Sequence, residues 1–425
     1  MGLSAVIFLI GYIIIALEHK VKADKAAVAL MLGILLWLIL AFGGSDLSEN
    51  IIQLKEHFEE IAEILFFLLG AMTIVELIDT HDGFAVIRKK IGTKKKVKLL
   101  WLLSLLTFFL SSVLDNLTTT IVMIAIVKKF MDSNEDLWTF GGFIIIAANA
   151  GGAWSPIGDI TTIMLWNGGQ ISSVAIINSV FLASLACLLV PLIIISSRFR
   201  GTLISDSVKK EPADKTIKSG ESNFILVFGV ALLLLVPIFK SITHLPPFMG
   251  MLFSLSVFWL IAEFIHRKKT TSEKHYFSVS ATIKKIDTPS ILFFLGILLA
   301  VAAMQTNGSL DILGKVLDNN FNNFYIINGL LGFISSIIDN VPLVAGAMGM
   351  YDMQLYPQDH QFWTFLAYCA GTGGSLLVIG SAAGIAAMGI LKIDFLWYLK
   401  HIAWLALIGY LAGIVVYMIV KITPS

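Results

Sequence analysis

Two short polar segments interrupt otherwise apolar stretches of this sequence, and both end in an Asp-Asn pair. SSVLDN ends at Asp115 and Asn116, and SSIIDN ends at Asp339 and Asn340, 224 residues further along. Carboxylate, amide and hydroxyl oxygens can replace the water shell of a small hard cation. An ionised side chain inside a membrane costs about 2.5–3.5 kcal/mol or more, so its presence there indicates a function. Both pairs could also cap the helix that follows them, which is compatible with ion binding.

A third polar segment, AANAGGAWSPIGDITTIML at 147–165, contains glycines and a proline that interrupt a helix. Its oxygen-bearing side chains include those of Asn149, Asp159, Thr161 and Thr162. Freed carbonyls and helix ends of this kind coordinate cations in membrane transporters. Small residues also favour close helix packing in membranes, which accounts for the glycines but not for Asp159.

The matching segment of the second half, AGTGGSLLVIGSAAG at 370–384, offers the hydroxyls of Thr372, Ser375 and Ser381. It has no carboxylate, because Ser381 stands where the first half has Asp159. The two segments therefore differ in chemistry although they share a pattern of small residues.

The composition requires most of the surface to face lipid. Of 425 residues, 57% are hydrophobic and only 14% are charged, whereas soluble domains carry about 25% charged residues. A net charge of +1 argues against nucleic acid as a partner. Cys187 and Cys369 stand in apolar runs and indicate neither a disulfide framework nor a metal cluster. With no phosphate-loop motif and no histidine pair at metal-ligand spacing on a buried helix face, we expect no cofactor and no enzyme.

Apolar length predicts ten spans and two hairpins, since a crossing helix needs about 20 apolar residues. The predicted spans are 2–17, 25–43, 61–79, 139–166, 173–197, 223–239, 247–265, 290–305, 361–390 and 397–420, of which 139–166 and 361–390 are broken. The Asp-Asn pairs divide two further segments, 97–130 and 322–351, into arms of roughly 11 to 16 residues. Because such arms are short for a complete crossing, we predict two re-entrant hairpins.

The basic residues predict an orientation. Of the 30 Lys and Arg residues, 26 lie in six predicted loops, which the positive-inside rule places in the cytoplasm. These loops are 18–25, 80–98, 128–136, 198–222, 266–289 and 391–400. Both termini are then extracytoplasmic, in a multi-pass protein that we expect in a bacterial inner membrane.

The two halves of the chain resemble each other. GGAWSPIG at 151–158 pairs with GGSLLVIG at 373–380, as the two Asp-Asn segments pair with each other. Each half, 1–197 and 223–425, has five predicted crossings, an odd number, so we predict that the second repeat is inverted. The polar segment 198–222 is the predicted cytoplasmic linker. Inverted repeats with interrupted helices are typical of secondary transporters, whose substrate site lies near the midplane of the membrane.

The predicted core contains Asp115, Asp159, Asp339 and Glu76, and no Lys or Arg. Acids without a basic partner indicate that the counter-charge is a transported cation or a proton. Burial favours the protonated carboxyl group, and a bound cation favours the ionised form. Competition between Na⁺ and H⁺ for one group would couple their fluxes, which is antiport. Glu76, on the third span, could carry the proton or serve as a hydrogen-bonded structural acid.

The motifs SSVLDNLTTT, NAGGAWSPIGDITTIMLW, SSIIDNVPL and GTGGSLLVIGSAAG resemble those of NhaD-type sodium/proton antiporters, within the ion transporter superfamily. The resemblance covers nearly the whole chain. Dicarboxylate and citrate carriers of that superfamily have a Ser-Asn-Thr motif at each hairpin tip, where this chain has Asp-Asn. The resemblance implies a homodimer in which a transport domain, holding both hairpins and both broken helices, moves against a scaffold domain in an elevator fashion.

With this resemblance, the sequence predicts an all-α polytopic membrane protein that exports Na⁺, and Li⁺ with it, in exchange for H⁺. The expected alternatives are a carrier of an anion or of arsenite, a passive cation channel and a membrane enzyme. The predicted cation and proton site consists of Asp115, Asn116, Thr118, Asn149, Asp159, Thr161, Thr162, Asp339, Asn340 and Ser375, with Na⁺ at Asp115, Asn116, Asp159 and Asp339.

Overall fold

The computed structural model is helical throughout the part of the chain that it describes. That part consists of residues 2–16, 21–43, 47–84, 93, 95–128, 130–131, 133–197, 219–267, 277–337, 339–378 and 380–422. The first half comprises α1 (Gly2–Ala16), α2 (Lys25–Phe42), α3 (Leu47–Thr80), α4 (Lys96–Leu114), α5 (Asn116–Val127), α6 (Asn134–Ala153), α7 (Ile160–Asn167) and α8 (Ser173–Ser196).

The second half repeats this order with three additional short helices. It comprises α9 (Ser219–Thr243), α10 (Pro247–His266), α11 (Val279–Ile283), α12 (Thr288–Thr306), α13 (Ser309–Phe321), α14 (Phe324–Ile334), α15 (Asn340–Met350), α16 (Gln361–Gly373), α17 (Ala382–Leu391), α18 (Phe395–His401) and α19 (Ala403–Ile422).

Among the described residues, eight helices are long and apolar enough to cross a membrane, namely α2, α3, α4, α8, α9, α10, α12 and α19. The pair α17 and α18, bent by 116°, is a ninth candidate. Large apolar side chains such as Val227 and Phe264 are 68% exposed on these helices, which suits a surface that faces lipid. The prediction of an all-α multi-pass membrane protein is confirmed.

Helices α4 and α5 form a hairpin that turns at Asp115. At one end of α4, Lys96 Nζ lies 2.6 Å from Asp136 Oδ2. Near its other end, the Ser111 hydroxyl donates to the Ala148 carbonyl at 2.6 Å. Helices α4 and α6 are therefore parallel. Because α5 connects the end of α4 to the start of α6, it must run back against both.

The second half contains the same arrangement. Asn328 Nδ2 donates to the Phe362 carbonyl at 2.8 Å, and the Ser335 hydroxyl donates to the Ala370 carbonyl at 2.9 Å. These two contacts make α14 parallel to α16, so α15, which connects the end of α14 to the start of α16, runs antiparallel to both. The Ser335 contact reproduces that of Ser111 in the first half.

Each hairpin touches its broken helix backbone to backbone, and glycine permits the approach. A Cβ atom at Gly151 of α6 would collide with the Phe108 carbonyl of α4. A Cβ atom at Gly373 of α16 would collide in the same way with the Gly332 carbonyl of α14. Since only glycine lacks a Cβ atom, these positions fix how closely the Asp-Asn turns approach the helix breaks.

The remaining long helices pack in a reciprocal pattern. Helix α2 of the first half packs on α12 of the second, and α3 packs on α10. Gly33 and Gly296 lie where α2 meets α12, and Trp37 Nε1 donates to the Leu299 carbonyl at 3.0 Å in the same contact. Within the described residues, α1–α3, α9, α10 and α12 thus pack as a set of helices distinct from the hairpins and broken helices.

Several predicted boundaries are wrong. The first hairpin arm, α4, has 19 residues instead of 11 to 16, because the helix continues through Ser111 and Ser112 of the polar segment as far as Leu114. The third span begins at Leu47 instead of residue 61, because an acidic amphipathic segment extends it.

The end of the chain also differs from the prediction. The last long helix begins at Ala403 instead of residue 397, which lies in the short helix α18. The chain turns between α17 and α18 at Lys392, where φ is 52°. The amphipathic helix α13 is not among the predicted spans. Residues 198–218 of the predicted linker lie outside the described part, and residues 219–222 open α9.

Candidate functional site

The first hairpin turn is held by the carboxylate of Asp115. Thr118 donates its backbone N–H to Oδ1 and its hydroxyl to Oδ2, both at 2.8 Å. Asp115 caps α5 in this way, so the capping interpretation is confirmed for this residue. Its φ of 74° lies in a region that residues other than glycine seldom adopt, and such strain is often retained at functional sites. Asp115 as a whole residue is half-buried.

The second hairpin turn has a different environment. Asp339 Oδ1 accepts the Val341 N–H at 3.2 Å, which caps α15. The Asp339 N–H donates to the Tyr12 hydroxyl of α1 at 2.9 Å. Lys25, at the start of α2, lies within electrostatic range of the Asp339 carboxylate. This turn therefore has a basic partner on the other set of helices.

Asp159, in the break between α6 and α7, is the point at which both turns meet. It is 1% exposed. Asn116 Nδ2 donates to its Oδ2 at 2.9 Å, and Asn340 Nδ2 lies 3.3 Å from both of its oxygens. The Thr161 N–H donates to Oδ1 at 3.0 Å. The asparagines of the two Asp-Asn pairs, more than two hundred residues apart, thus bind one carboxylate.

Asn149 connects this centre to the break in the second half. Its Oδ1 accepts Asn116 Nδ2 at 3.1 Å. Its Nδ2 lies 2.9 Å from the hydroxyl oxygens of both Ser375 and Ser381. The site therefore joins both turns and both breaks. Ser381 belongs to it, although it is absent from the predicted set. Its alignment with Asp159 is the sequence signal that could have identified it.

The predicted threonines serve two different purposes. Thr118 supports the Asp115 carboxylate, as described above. Thr161 lies beside the Asp159 carboxylate through its N–H group, whereas the Thr162 hydroxyl donates to the Asp159 backbone carbonyl at 2.8 Å. Thr162 therefore shapes the start of α7 instead of presenting its hydroxyl oxygen to the centre.

Comparison with known proteins assigns the family. The citrate transporter family model, CitMHS, matches residues 12–365. Sodium/proton antiporter 1 of Arabidopsis thaliana is 45% identical over 98% of this chain and 72% of its own length. Sodium/proton antiporter 2 of the same plant is 42% identical over 99% of this chain and its own full length. The Na⁺/H⁺ antiporter NhaD of Vibrio cholerae is 30% identical over 98% of this chain and 91% of its own length. The chain belongs to the NhaD family of sodium/proton antiporters.

The family relatives are transporters, which confirms that this NhaD-family chain is not an enzyme. They come from both plants and bacteria. The membrane location that follows for this chain is a multi-pass one. A bacterial inner membrane and the orientation of the termini stay predictions.

The prediction that the acidic core has no basic partner is wrong at two residues. Asp339 has Lys25 within electrostatic range. Glu76, on α3, forms an ion pair with Lys285 at 3.9 Å, and both side chains are substantially exposed. Lys25 and Lys285 lie in the predicted loops 18–25 and 266–289, and apolar length does not show which side chains such loop residues contact. The carboxylates of Asp115 and Asp339 nevertheless lie within electrostatic range of Asp159, so the centre remains acidic.

A cavity of about 390 Å³ lies at the far end of α7 from Asp159. Its lining includes Glu63 and Asn167, whose side chains are joined by a hydrogen bond of 2.7 Å. His57 also lines it and lies 3.7 Å from a carboxylate oxygen of Glu60. Because α7 has eight residues, this cavity and Asp159 are about 12 Å apart along the helix.

Proposed function

We propose that this chain exports Na⁺ in exchange for H⁺ and that both ions are bound at the Asp159 centre. The observation that carries the proposal is the convergence of Asn116 and Asn340 on one buried carboxylate. NhaD relatives named as sodium/proton antiporters cover nearly the whole chain, which supports the choice of ions.

The chemistry of the centre favours a cation over an anion. Asp115, Asp159 and Asp339 supply carboxylate oxygens, and the neighbouring amides and hydroxyls supply neutral oxygens. Hard cations prefer such oxygen ligands. An anion placed among three carboxylates would be repelled by each of them, and Lys25 adjoins only one. The citrate-carrier and arsenite alternatives are therefore disfavoured at this site, and solute uptake tests them directly.

Coupling follows from the use of one carboxylate by two ions. The amide N–H groups of Asn116 and Asn340 face Asp159 when no cation is bound. If either amide rotates by half a turn, its oxygen faces the same position and can complete the shell of a cation. A proton on Asp159 removes the charge that attracts Na⁺, so the carboxylate carries either ion but not both.

Movement of the site is proposed to follow an elevator mechanism. The hairpins α4–α5 and α14–α15 would form the transport domain with the broken helices α6–α7 and α16–α17. The set containing α1–α3, α9, α10 and α12 would form the scaffold and the homodimer interface. The reciprocal packing of α2 on α12 and of α3 on α10 supports two inverted repeats. Both hairpins would be re-entrant, and Li⁺ would follow the Na⁺ route.

Inside-out vesicles with an acidified lumen and an internal pH dye test the exchange. Addition of NaCl, LiCl and KCl in turn, from pH 7 to 9.5, should make the lumen alkaline with Na⁺ and Li⁺. The Asp159→Asn protein should give no response at a matched protein level. No response of the wild type to any cation would overturn the antiporter proposal and direct the search to anion and arsenite uptake.

A further inference from the structure

Two buried histidines meet where α3 and α10 end, in a contact unrelated to the Asp159 centre. His81 follows α3 and His266 ends α10, and they are 0% and 4% exposed. Their Nε2 atoms lie 2.9 Å apart, and their rings are stacked with centroids 4.9 Å apart. Phe277 packs on both rings. The position is therefore largely closed to water although it consists of polar groups.

A carboxylate completes the group. Glu221, in the first turn of α9, places Oε1 at 3.6 Å from His266 Nε2. One ligand atom from each of the three residues lies within 4.8 Å of the others. The residues come from the ends of three different helices and are separated by 140 and 45 positions in the sequence. Sequence spacing could not have paired them, and the expectation of no histidine pair applied only to a single helix.

The orientation of His81 is that of a metal ligand. Its Nδ1 atom lies 2.6 Å from the Leu77 carbonyl, which can only accept, so Nδ1 carries the proton. The lone pair of Nε2 then faces His266 and Glu221. Ligating histidines usually donate their other ring N–H to a carbonyl or carboxylate in this manner.

Two of the three separations between ligand atoms also suit one small ion. Two nitrogen ligands at about 2.0–2.1 Å from a tetrahedral ion are about 3.3 Å apart. The observed separations of 2.9 Å and 3.6 Å fall on either side of that value.

We propose that His81, His266 and Glu221 bind a divalent first-row transition metal of the Zn²⁺ class. A donor set of two imidazoles and one carboxylate binds such ions in preference to Na⁺, Mg²⁺ or Ca²⁺. The ion would join the end of α3, in the first half of the chain, to α9 and α10 of the second half. It would therefore fasten the two halves of the scaffold at the point where the linker enters α9. Its occupancy does not depend on which ions are exchanged at Asp159.

Purified full-length protein, treated with a chelator and then dialysed, tests this site by titration with Co²⁺. The visible absorbance of Co²⁺ should rise in a saturable manner to one ion per chain, and Zn²⁺ should then displace it. His81→Gln and His266→Gln should each weaken binding by more than about tenfold. Glu221→Gln, which keeps the shape of the side chain, should weaken it less.

His401→Gln is the matched control. His401 Nδ1 also lies near the carbonyl four residues earlier, that of Trp397, at 2.9 Å, but His401 is not part of any metal-ligand group found in the described residues. This variant should bind Co²⁺ like the wild type. The proposal would be overturned if the wild type showed no saturable absorbance. It would also be overturned if the Glu221→Gln protein and one of the histidine variants both bound Co²⁺ as tightly as the wild type. The wild-type titration decides the question even if a histidine variant fails to fold.

Discussion

The two hairpin turns of this protein share a backbone plan and differ in chemistry. In both, serine hydroxyls bind carbonyls of the parallel broken helix, and an aspartate caps the returning helix. Asp115 is held by Thr118, whereas Asp339 contacts Tyr12 and lies near Lys25. The asparagines of both turns reach the single carboxylate of Asp159.

The helix breaks show the same contrast more strongly. Asp159 of the first break corresponds to Ser381 of the second, and Asn149 corresponds to Gly371. A Cβ atom at Gly371 would lie 3.0 Å from the Ala153 Cβ atom and 3.8 Å from Asp159 Oδ2, so Gly371 permits close packing of the two breaks. The two breaks thus share a pattern of small residues, whereas only the first break supplies a carboxylate.

The largest difference should appear when the two corresponding residues at the breaks, Asp159 and Ser381, are each substituted. Asp159→Asn leaves a bound Na⁺ without its carboxylate partner, and removing one partner of a buried ion pair costs about 3–5 kcal/mol. This cost corresponds to a loss of exchange activity of about 100-fold or more. Ser381→Ala keeps that charge and should lower exchange by less than about tenfold. Na⁺-dependent pH change in proteoliposomes measures both variants. Equal losses in the two proteins would mean that the breaks are functionally equivalent.

A smaller difference should separate the two turns. Asp115→Asn should reduce exchange by about 10- to 100-fold, since a charged hydrogen-bonded group contributes about 1.5–3 kcal/mol. Asp339→Asn should have a smaller effect because Lys25 already offsets its charge. Initial rates over a range of Na⁺ concentrations give both values. A greater loss for Asp339→Asn would show that Lys25 leaves the Asp339 charge available for coupling.

Asn149→Ala tests the link between the breaks. The change leaves Asn116, Ser375 and Ser381 without their common partner, and unsatisfied buried groups cost about 1–3 kcal/mol each. We expect exchange to fall by about tenfold, with a lower thermal stability in the same detergent. Asn328→Ala is the control, because it removes the hydrogen bond from the Asn328 side-chain amide to the Phe362 carbonyl at the far end of the second hairpin. It should reduce stability with less effect on the rate per folded protein.

The smallest effect should come from Glu76→Gln. Glu76 and Lys285 form an exposed ion pair, and such pairs contribute about 0–1 kcal/mol. Exchange should change by less than about fivefold. A complete loss of H⁺ flux in Glu76→Gln, with Na⁺ binding retained, would restore Glu76 as the proton carrier.

The sequence predicts the coarse fold because two simple signals determine it. Apolar length marks the long helices, and Gly and Pro mark the breaks, so the predicted broken spans 139–166 and 361–390 overlap most of α6–α7 and α16–α17. Helix ends were harder, since α3 and α4 continue through polar residues that a hydropathy window assigns to loops. The helix α13 was not predicted because its polar residues lower the average hydropathy of the segment, although one face of the helix is apolar.

The candidate site was predictable where a residue type is costly in a membrane. Asp115, Asp159 and Asp339 stand out for that reason, and the structure brings Asn116, Asn340 and Asn149 to Asp159. The partners contributed by distant elements could not be read from spacing. Lys25 near Asp339, Lys285 beside Glu76 and Ser381 beside Asn149 all depend on how the two halves pack together.

Proton release on Na⁺ binding tests directly whether both ions use Asp159. Purified protein in a weakly buffered detergent solution, with a pH dye, would receive NaCl or choline chloride. The wild type and Ser381→Ala should release protons on addition of NaCl only, and Asp159→Asn should release none. Release from the Asp159→Asn protein equal to that of the wild type would contradict a shared carboxylate at this centre.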